Sequence, residues 1–353
     1  MSTDIKTTPG GTPPQVDTRA VAPKPAWQRV LTTRATAILA LDVVLFLIFT
    51  AIKPVFASLD NVQTLLLSGT EALLLAVGLA MLLGAGIFDL SLGANQVLSS
   101  VVGAEAIKAI ASPSATGAAH NVGVAVVVGL VVCLLTGAVF GLVNGLLVAY
   151  AQMNALIATL GTLGIGTGLA YVIGGGSDVS GLPAQIQENL GLRTVADIPV
   201  VAFIAILIAI ILYLVVRFTG FGMRTEAIGS SRLAADRVGI RVPRHLLRLT
   251  ILAGALAGLA GFVDLSHFAS TTITGHANDA LNAVTAAVIG GTLLEGGKIS
   301  IPGAIWGTGL AVIVQGGLVI AGVSSYWQLI AVGTVLIVAV GLDRVTFIRL
   351  QRS

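Results

Sequence analysis

The sequence predicts an all-α polytopic membrane protein with about ten transmembrane segments, some of them broken or re-entrant. Its 353 residues are 56% hydrophobic and only 10% charged, whereas soluble domains carry about 25% charged residues. Apolar runs such as Val122 to Val143 contain no acid or base, and they match the roughly 20 helical residues that cross a hydrocarbon core. Helices are expected because a backbone in lipid must satisfy its own hydrogen bonds and the alternating pattern of strands is absent.

The tails and segments can be assigned in chain order. Residues 1–28, rich in Thr, Pro and Gly, are predicted to form a disordered cytoplasmic tail. A transmembrane domain is predicted over 29–345, followed by a short cytoplasmic tail over 346–353. The predicted segments are 35–52, 62–88, 92–111, 121–148, 152–175, 199–217, 247–268, 281–294, 300–321 and 326–342. The first is interpreted as a retained helix rather than a cleaved signal, because it contains Asp42 and is long enough to span.

The distribution of basic residues predicts the orientation of these segments. With ten segments and a cytoplasmic amino terminus, sixteen Lys and Arg residues fall inside and three, Lys53, Lys108 and Arg193, fall outside. The positive-inside rule expects this asymmetry. Both termini are therefore predicted to be cytoplasmic, and the polar loop 176–199 is predicted to face the outside. Fewer full spans with re-entrant pieces fit nearly as well, because the segment 281–294 is short.

Cysteine and histidine give no sign of a metal centre or another cofactor. The single cysteine, Cys133, lies in an apolar run and excludes an intramolecular disulfide or a cysteine metal site. The four histidines are His120, His245, His267 and His276, and no two have the spacing of a helical metal-binding pair. We therefore predict no metal, and we attribute the basic residues to membrane topology rather than to nucleic acid.

Three carboxylates, Asp42, Glu71 and Asp264, lie inside or near predicted segments. A charge at the centre of a span costs about 2.5–3.5 kcal/mol, so each of these side chains is expected to face protein or water. A proton relay is the functional alternative, but no regular chain of acids connects the three positions. Burial against other helices is the preferred interpretation.

The stretch GAGIFDLSLGANQ predicts a helix that stops at a glycine pair and restarts at Asp89 or Ser91, either of which could cap the new helix. A break at membrane depth is tolerated only where it is buried in protein or lines a cavity. Polar side chains at this break and at comparable ones could hydrogen-bond an uncharged solute. The candidate substrate-pathway residues are Asp89, Ser91, Asn95, Asn154, Thr159 and Thr162. Hydrogen bonding between helices is an equally good interpretation for each.

Two glycine patterns bear on packing and on nucleotide binding. Glycines four residues apart, at 137, 141 and 145 and again at 254 and 258, predict close helix contacts.

The string GGTLLEGGKIS looks like a phosphate loop, but Gly297 intervenes before Lys298 and Ile299 occupies the position of the Mg²⁺-binding hydroxyl. The chain is therefore predicted not to bind ATP through this string, and any ATP hydrolysis would belong to another subunit.

An arginine-rich island over 218–247 separates the sixth and seventh segments. Ser230 and Ser231 are good N-cap residues, and Gly239 is a natural helix stop before Pro243. The pattern predicts a cytoplasmic helix of about eight residues. Five arginines within this loop would cost on the order of 12–18 kcal/mol at the bilayer centre, so the loop must remain outside the membrane. A simple stop-transfer loop is the alternative, although it needs neither so many arginines nor a capped helix.

The island resembles the coupling loop of ATP-binding-cassette (ABC) importer permeases, a Glu-Ala pair followed by two spaced glycines. Here these residues are Glu226, Ala227, Gly229 and Gly239. Three further stretches resemble the permeases of ribose-type sugar importers, and the similarity covers nearly everything after Ala35. These stretches are GIFDLSLG, FGLVNGLLVAYAQMNALIATLGTLGIGTGLAYVIGGG and AVIGGTLLEGGKISIPGAIWG. The sequence departs from the pattern of that branch at Phe88, Asn95, Gln96 and Glu295.

The resemblance implies a type II-like ABC importer permease in the cell inner membrane, which carries a monosaccharide or related polyol and is not itself an enzyme. The implied partners are a cytoplasmic ABC ATPase, an extracytoplasmic solute-binding protein and a second permease copy, as a homodimer or heterodimer. An ion-coupled secondary transporter of a small polar solute is the alternative. It would need an intramembrane ion site and no partner.

The resemblance also assigns roles within the island. The implied ATPase-coupling residues are Glu226, Ala227, Gly229, Arg232, Leu233, Arg237, Val238 and Gly239. The two arginines are expected to face acidic groups of the ATPase, and Leu233 and Val238 are expected to supply apolar contact. Glu226 is expected to steady the loop against nearby arginines.

Overall fold

A computed structural model describes residues 34–111, 121–276 and 278–324, together with residues 326, 327, 330, 333 and 334. The helices are α1 (Arg34–Ile52), α2 (Leu59–Gly84), α3 (Leu92–Ile110), α4 (Val122–Gly145), α5 (Ala155–Ile173), α6 (Ala184–Ile186), α7 (Val200–Phe218), α8 (Gly220–Ser230), α9 (Arg232–Arg237), α10 (Val242–Phe268), α11 (Asp279–Ile289) and α12 (Ile301–Ile320). A 3₁₀ turn covers Pro54–Ala57, and single π turns cover Leu146–Tyr150 and Gln187–Gly191. Strands β1 (Thr194–Val195) and β2 (Ile198–Pro199) form a small antiparallel hairpin.

The helical prediction is confirmed, and nine of the ten predicted segments correspond to helices of the described chain. Seven helices in this part of the chain are long and apolar enough to cross a membrane. Helices α3 and α11 do not meet that standard, so the structure supports a polytopic fold without establishing ten full spans. The predicted tails 1–28 and 346–353 and most of the predicted segment 326–342 lie outside the described residues.

Several boundaries differ from the predicted ones. Helix α10 begins at Val242 rather than near residue 247, because Pro243 occupies its first turn, where a missing N–H costs nothing. The predicted eighth segment, 281–294, is helical only over 279–289. The arginine-rich connection, residues 219–241, contains the two short helices α8 and α9 instead of one helix.

Helices α4 and α10 pack backbone against backbone through the two glycine patterns. A Cβ at Gly137 would overlap the carbonyl oxygen of Gly254, and a Cβ at Gly258 would overlap the carbonyl oxygen of Cys133. The two backbones therefore touch directly, as the four-residue spacing predicts. Asn95 of α3 donates to the carbonyls of Gly137 and Gly254 at 3.2 and 3.3 Å, which fastens a third helix to the pair.

Helix α10 extends from one end of the described structure to the other. Its 27 residues measure about 40 Å at 1.5 Å per residue. Near its start, His245 Nε2 lies 2.8 Å from the hydroxyl of Thr225 in α8. Near its end, the carbonyl of His267 accepts from Gln187 in the loop 174–199 at 2.6 Å. The arginine-rich connection and the loop 174–199, here called the outer loop, therefore contact opposite ends of one helix.

Candidate functional site

Helix α9 is a short rod with defined ends. The hydroxyl of Ser231 accepts from the amide of Ala234 at 3.3 Å, which is the N-cap arrangement. At the other end the amide of Gly239 donates to Asp236 and the amide of Ile240 donates to Ala235. Gly239 has φ of 83°, so this is a Schellman motif with glycine in the left-handed position. The predicted capped helix is confirmed, with six residues rather than about eight.

The outward face of α9 combines apolar and cationic side chains. Leu233 is 64% exposed and Val238 is 77% exposed. Arg232 and Arg237 are exposed on the same short helix, whereas Ala235 is buried against the rest of the protein. Large exposed apolar side chains beside charges are typical of a surface that binds another protein.

Glu226 and Gly229 join α8 to two other parts of the fold. The carboxylate of Glu226 accepts from the backbone amide of Ile299 at 3.0 Å, so it steadies the connection through this backbone contact instead of the expected arginine contact. A Cβ at Gly229 would overlap both the carbonyl oxygen of Gly84 and the amide of Gly297. The amide of Gly297 donates to Gly84 at 2.9 Å. We call this contact of α8, the end of α2 and the loop 290–300 the glycine junction.

The phosphate-loop-like string GGTLLEGGKIS is part of this junction. Its amides at Gly297 and Ile299 are hydrogen-bonded to Gly84 and Glu226. Ser300 uses its hydroxyl to cap α12 through the amide of Gly303. These two amides and this hydroxyl are thus committed to packing the chain.

Four arginines surround a pocket beside α9. Arg241, Arg244 and Arg248 follow one another at helical spacing around the first turns of α10, and Arg224 approaches from α8; the four line a cavity of about 520 Å³. Within the part of the chain that the structure describes, none of the four has a carboxylate within ion-pair distance. This cluster is an unneutralised positive surface adjoining Val238.

The helix break at GIFDLSLG is held by hydrogen bonds within the chain. Asp89 accepts from the amide and hydroxyl of Ser91 at 2.8 and 2.6 Å, and Asn144 of α4 donates to both side chains. Ser91 occupies the N-cap position of α3 but its hydroxyl makes no cap bond, so the cap predicted at Ser91 is wrong. Asp89, the other predicted cap, accepts from the amide of Ser91.

The other substrate-pathway candidates also hydrogen-bond the chain itself. Thr159 of α5 contacts the break through Phe88 and Leu90, and Thr162 donates to the carbonyl of Thr159. Asn95 connects α3 to α4 and α10, as described above. Asn154 caps α5 by accepting from Leu156 and Ile157, and it is exposed. Asp89, Ser91 and Thr159 therefore meet at one site, whereas Asn154 lies apart on the surface.

A carboxylate–histidine cluster lies near the other end of α10. We define it as Glu71, Asp264, His267, His276 and Asp279. His276 Nε2 is 3.3 Å from Asp264 and Nδ1 is 2.6 Å from Asp279, while His267 Nδ1 is 3.8 Å from Glu71. Burial alone would lower the pKa of His276, but the hydrogen bonds to the two aspartates outweigh burial and raise the pKa to about 11.

Members of this cluster were apparent from the sequence only as separate residues. Asp42, Glu71 and Asp264 were expected to face protein or water, and the largely buried side chains confirm this. The convergence with His267 and His276 was missed because the members come from α2, α10 and the segment before α11. The one local signal is the spacing of His276 and Asp279.

Comparison with known proteins identifies the family. The family described as branched-chain amino acid transport system / permease component matches residues 61–340. The ribose import permease protein of Bacillus subtilis is 34% identical over 302 residues, which cover 85% of this chain and 90% of that protein. The galactose/methyl galactoside import permease protein of Haemophilus influenzae is 31% identical over 323 residues, covering 89% and 95%. No solved structure matches the chain.

The matched range contains the broken helix, α8 and α9, the glycine junction and the cluster. A further relative, the D-allose transport system permease protein of Escherichia coli, is 31% identical over 299 residues, covering 84% of this chain and 87% of that one. The resemblance indicated by the four motifs is therefore confirmed. The chain belongs to the family of branched-chain amino acid transport system permease components, as a multi-pass inner-membrane permease subunit and not an enzyme.

Proposed function

We propose that this chain is the membrane subunit of an ATP-driven importer that carries a monosaccharide or related polyol. The relatives named above are import permeases for ribose, galactose and methyl galactoside, and allose. The single observation that supports energy coupling most directly is α9, a capped helix with Leu233 and Val238 exposed beside an unneutralised arginine cluster. A soluble ATPase with an apolar cleft and acidic rim is the complementary partner.

The proposed coupling residues act in two ways. Leu233 and Val238 enter the ATPase cleft, while Arg232 and Arg237 meet its acidic groups. The remaining residues, Glu226, Ala227, Gly229 and Gly239, hold α8 and α9 at a fixed angle. Their contacts in the glycine junction and the Schellman motif support this division.

The proposed solute path borders the broken helix between α2 and α3. Asp89, Ser91 and Thr159 determine the shape of the break, and Thr162 continues the polar surface along α5. Asn95 fastens the α4–α10 pair next to it, and Asn154 sets the start of α5. This path lies close to the glycine junction, since Gly84 ends the helix that precedes the break. Movement of α9 would therefore reach the path over a short distance.

The proposed assembly contains two permease copies, identical or paired with a homologue, two ATPase modules and an extracytoplasmic binding protein. Both termini and the arginine-rich connection are cytoplasmic in this arrangement. The binding protein meets the outer loop. The concentration of arginine at the α9 end of α10 supports this orientation.

Reconstituted transport tests the function. Proteoliposomes containing the permease, its ATPase and its binding protein should accumulate labelled ribose, galactose or allose when ATP is supplied on the ATPase side. Permease alone with a proton or sodium gradient is the matched arm. Accumulation in that arm without ATPase would refute the proposal and support an ion-coupled transporter.

Thiol labelling tests the orientation. Single cysteines at Ser180, in the outer loop, and Ala234, on α9, are introduced into a Cys133→Ser background. Both positions are exposed, and Ala234 is chosen because Ser231 is needed as a cap. An impermeant thiol reagent should modify the two positions from opposite sides of the membrane. Labelling from the same side would overturn the orientation.

A further inference from the structure

We propose that Glu71, Asp264 and His276 form a binding site for a divalent transition-metal cation of the Zn²⁺ or Mn²⁺ class. One ligand atom from each residue lies within 4.8 Å of the other two. The site joins α2, α10 and the segment that leads into α11. It does not depend on which solute the permease carries.

His276 is oriented as metal-binding histidines are. Its Nδ1 lies 2.6 Å from Asp279, which accepts the Nδ1–H and leaves Nε2 on the other side of the ring. A carboxylate behind the imidazole fixes the tautomer and raises the basicity of the ligating nitrogen. Nε2, the atom that would bind the metal in place of its proton, lies 3.3 Å from Asp264 Oδ1.

The spacing of the first two ligands fits one shared ion. Two ligands at about 2.1 Å from a metal and separated by a tetrahedral angle are about 3.4 Å apart. The separation of His276 Nε2 and Asp264 Oδ1 is 3.3 Å. Glu71 is the third ligand, because one of its carboxylate oxygens lies within 4.8 Å of the other two ligand atoms. His267, 3.8 Å from Glu71 on another side, can hold that carboxylate in place.

The buried carboxylate oxygens of the site have few partners within the described residues. Asp264 is 1% exposed, and the group that faces its Oδ1 is His276 Nε2, the atom with which it would share the ion. The buried Oε1 of Glu71 has no hydrogen-bond donor in that part of the chain, and the nearest cationic group is His267 Nδ1 at 3.8 Å. Buried carboxylate oxygens are normally hydrogen-bonded or bound to a cation.

The surroundings leave room for an ion and its remaining ligands. Glu71, His276 and Asp279 line a cavity of about 220 Å³, together with the polar side chains of Asn282 and Gln315. A catalytic-type site with three protein ligands keeps one or more positions open for water. The mixture of imidazole and carboxylate favours Zn²⁺ or Mn²⁺ over Ca²⁺, which prefers oxygen ligands alone.

Metal binding to the full-length chain in nanodiscs tests this site. The protein is stripped with a chelator, incubated with Zn²⁺ or Mn²⁺ alone, dialysed, and analysed for metal by mass spectrometry. We expect one ion per chain in the wild type and loss of that ion in Glu71→Gln and in Asp264→Asn. Asp279→Asn, which leaves the three ligands in place, should weaken binding about 10–100-fold.

Glu105→Gln is the matched control, because Glu105 is an exposed carboxylate paired with Lys108 on α3 and lies outside the cluster. It should bind the ion as the wild type does. Size-exclusion profiles identify variants that fail to fold, and Co²⁺ absorption of the wild type reports the ligand geometry without any variant. A wild type that binds no stoichiometric ion and gives no Co²⁺ ligand-field bands would overturn the proposal, and a protonated His276 between two aspartates would then account for the cluster.

Discussion

Helix α9 and the carboxylate–histidine cluster differ in how they are built. All the contacts that define the ends of α9 join residues no more than five positions apart, between Ser231 and Ile240. The cluster brings together Glu71 and Asp264, which are almost 200 positions apart in the sequence. The first feature is therefore local chemistry on a surface, and the second depends on the whole helical packing.

The two regions also face different surroundings. Leu233 and Val238 are exposed and can change without disturbing a core. Asp264 is buried among helices, so a change there alters the balance of charge inside the protein. Substitutions should therefore divide into those that affect partner binding with little effect on folding and those that affect folding first. The predictions below test this division.

Asp264→Ala should have the largest effect. Removing one partner from a buried ion pair costs about 3–5 kcal/mol, because His276 keeps its position but loses half of its compensation. We expect that loss in the free energy of unfolding, measured in detergent after chelator treatment. The control is Asp236→Ala, which removes an exposed acid from α9. Equal losses in the two variants would contradict the division.

Leu233→Asp should lower ATPase binding by about 2 kcal/mol or more, roughly 30-fold in affinity. A charge would replace an exposed apolar contact, so the free energy of unfolding should not change. Copurification of the ATPase and solute uptake are measured in parallel. Leu192→Asp, a similarly exposed position in the outer loop, is the control. Normal ATPase binding by Leu233→Asp would indicate that α9 belongs to a stop-transfer loop.

Glu226→Ala should weaken the contact between α8 and the loop 290–300 by an intermediate amount, roughly 1.5 kcal/mol. The reason is that the amide of Ile299 loses its hydrogen bond to a charged group. Glu226→Gln retains an acceptor and should lose less. The expected result is reduced uptake per ATP hydrolysed, with the ATPase still bound. If the glutamine and alanine variants were equally impaired, the negative charge rather than the hydrogen bond would be the required feature.

Gly239→Val should have the smallest effect, a loss of about 1 kcal/mol in the stability of the α9 carboxyl end, because an L-residue with a branched side chain resists positive φ. Asn tolerates this backbone conformation, so Gly239→Asn should remain close to wild type. The measurement is uptake alongside ATPase copurification. Val and Asn variants with the same uptake would show that the Schellman motif does not determine the direction of α9.

These differences explain what could be predicted from the sequence. Helix positions, the serine cap at 231, the stop at Gly239 and the α4–α10 glycine contact depend on local spacing, and the structure confirms them. The partner of Glu226 was not predictable, because Ile299 approaches only after the chain has folded. The cluster was missed for the same reason. A search for histidine pairs along one helix does not detect ligands that come from three segments.

The glycine junction has a mechanical consequence. The carbonyl of Gly84 and the amide of Gly297 meet at Gly229, with no side chain between them that could absorb a displacement. If α9 is displaced as proposed, the displacement would pass by backbone contact to α2 and to the loop before α12, as well as along the chain to α7 and α10. At Gly229 the arginine-rich connection touches these neighbours through backbone atoms, so any larger side chain there would separate the parts that have to move together.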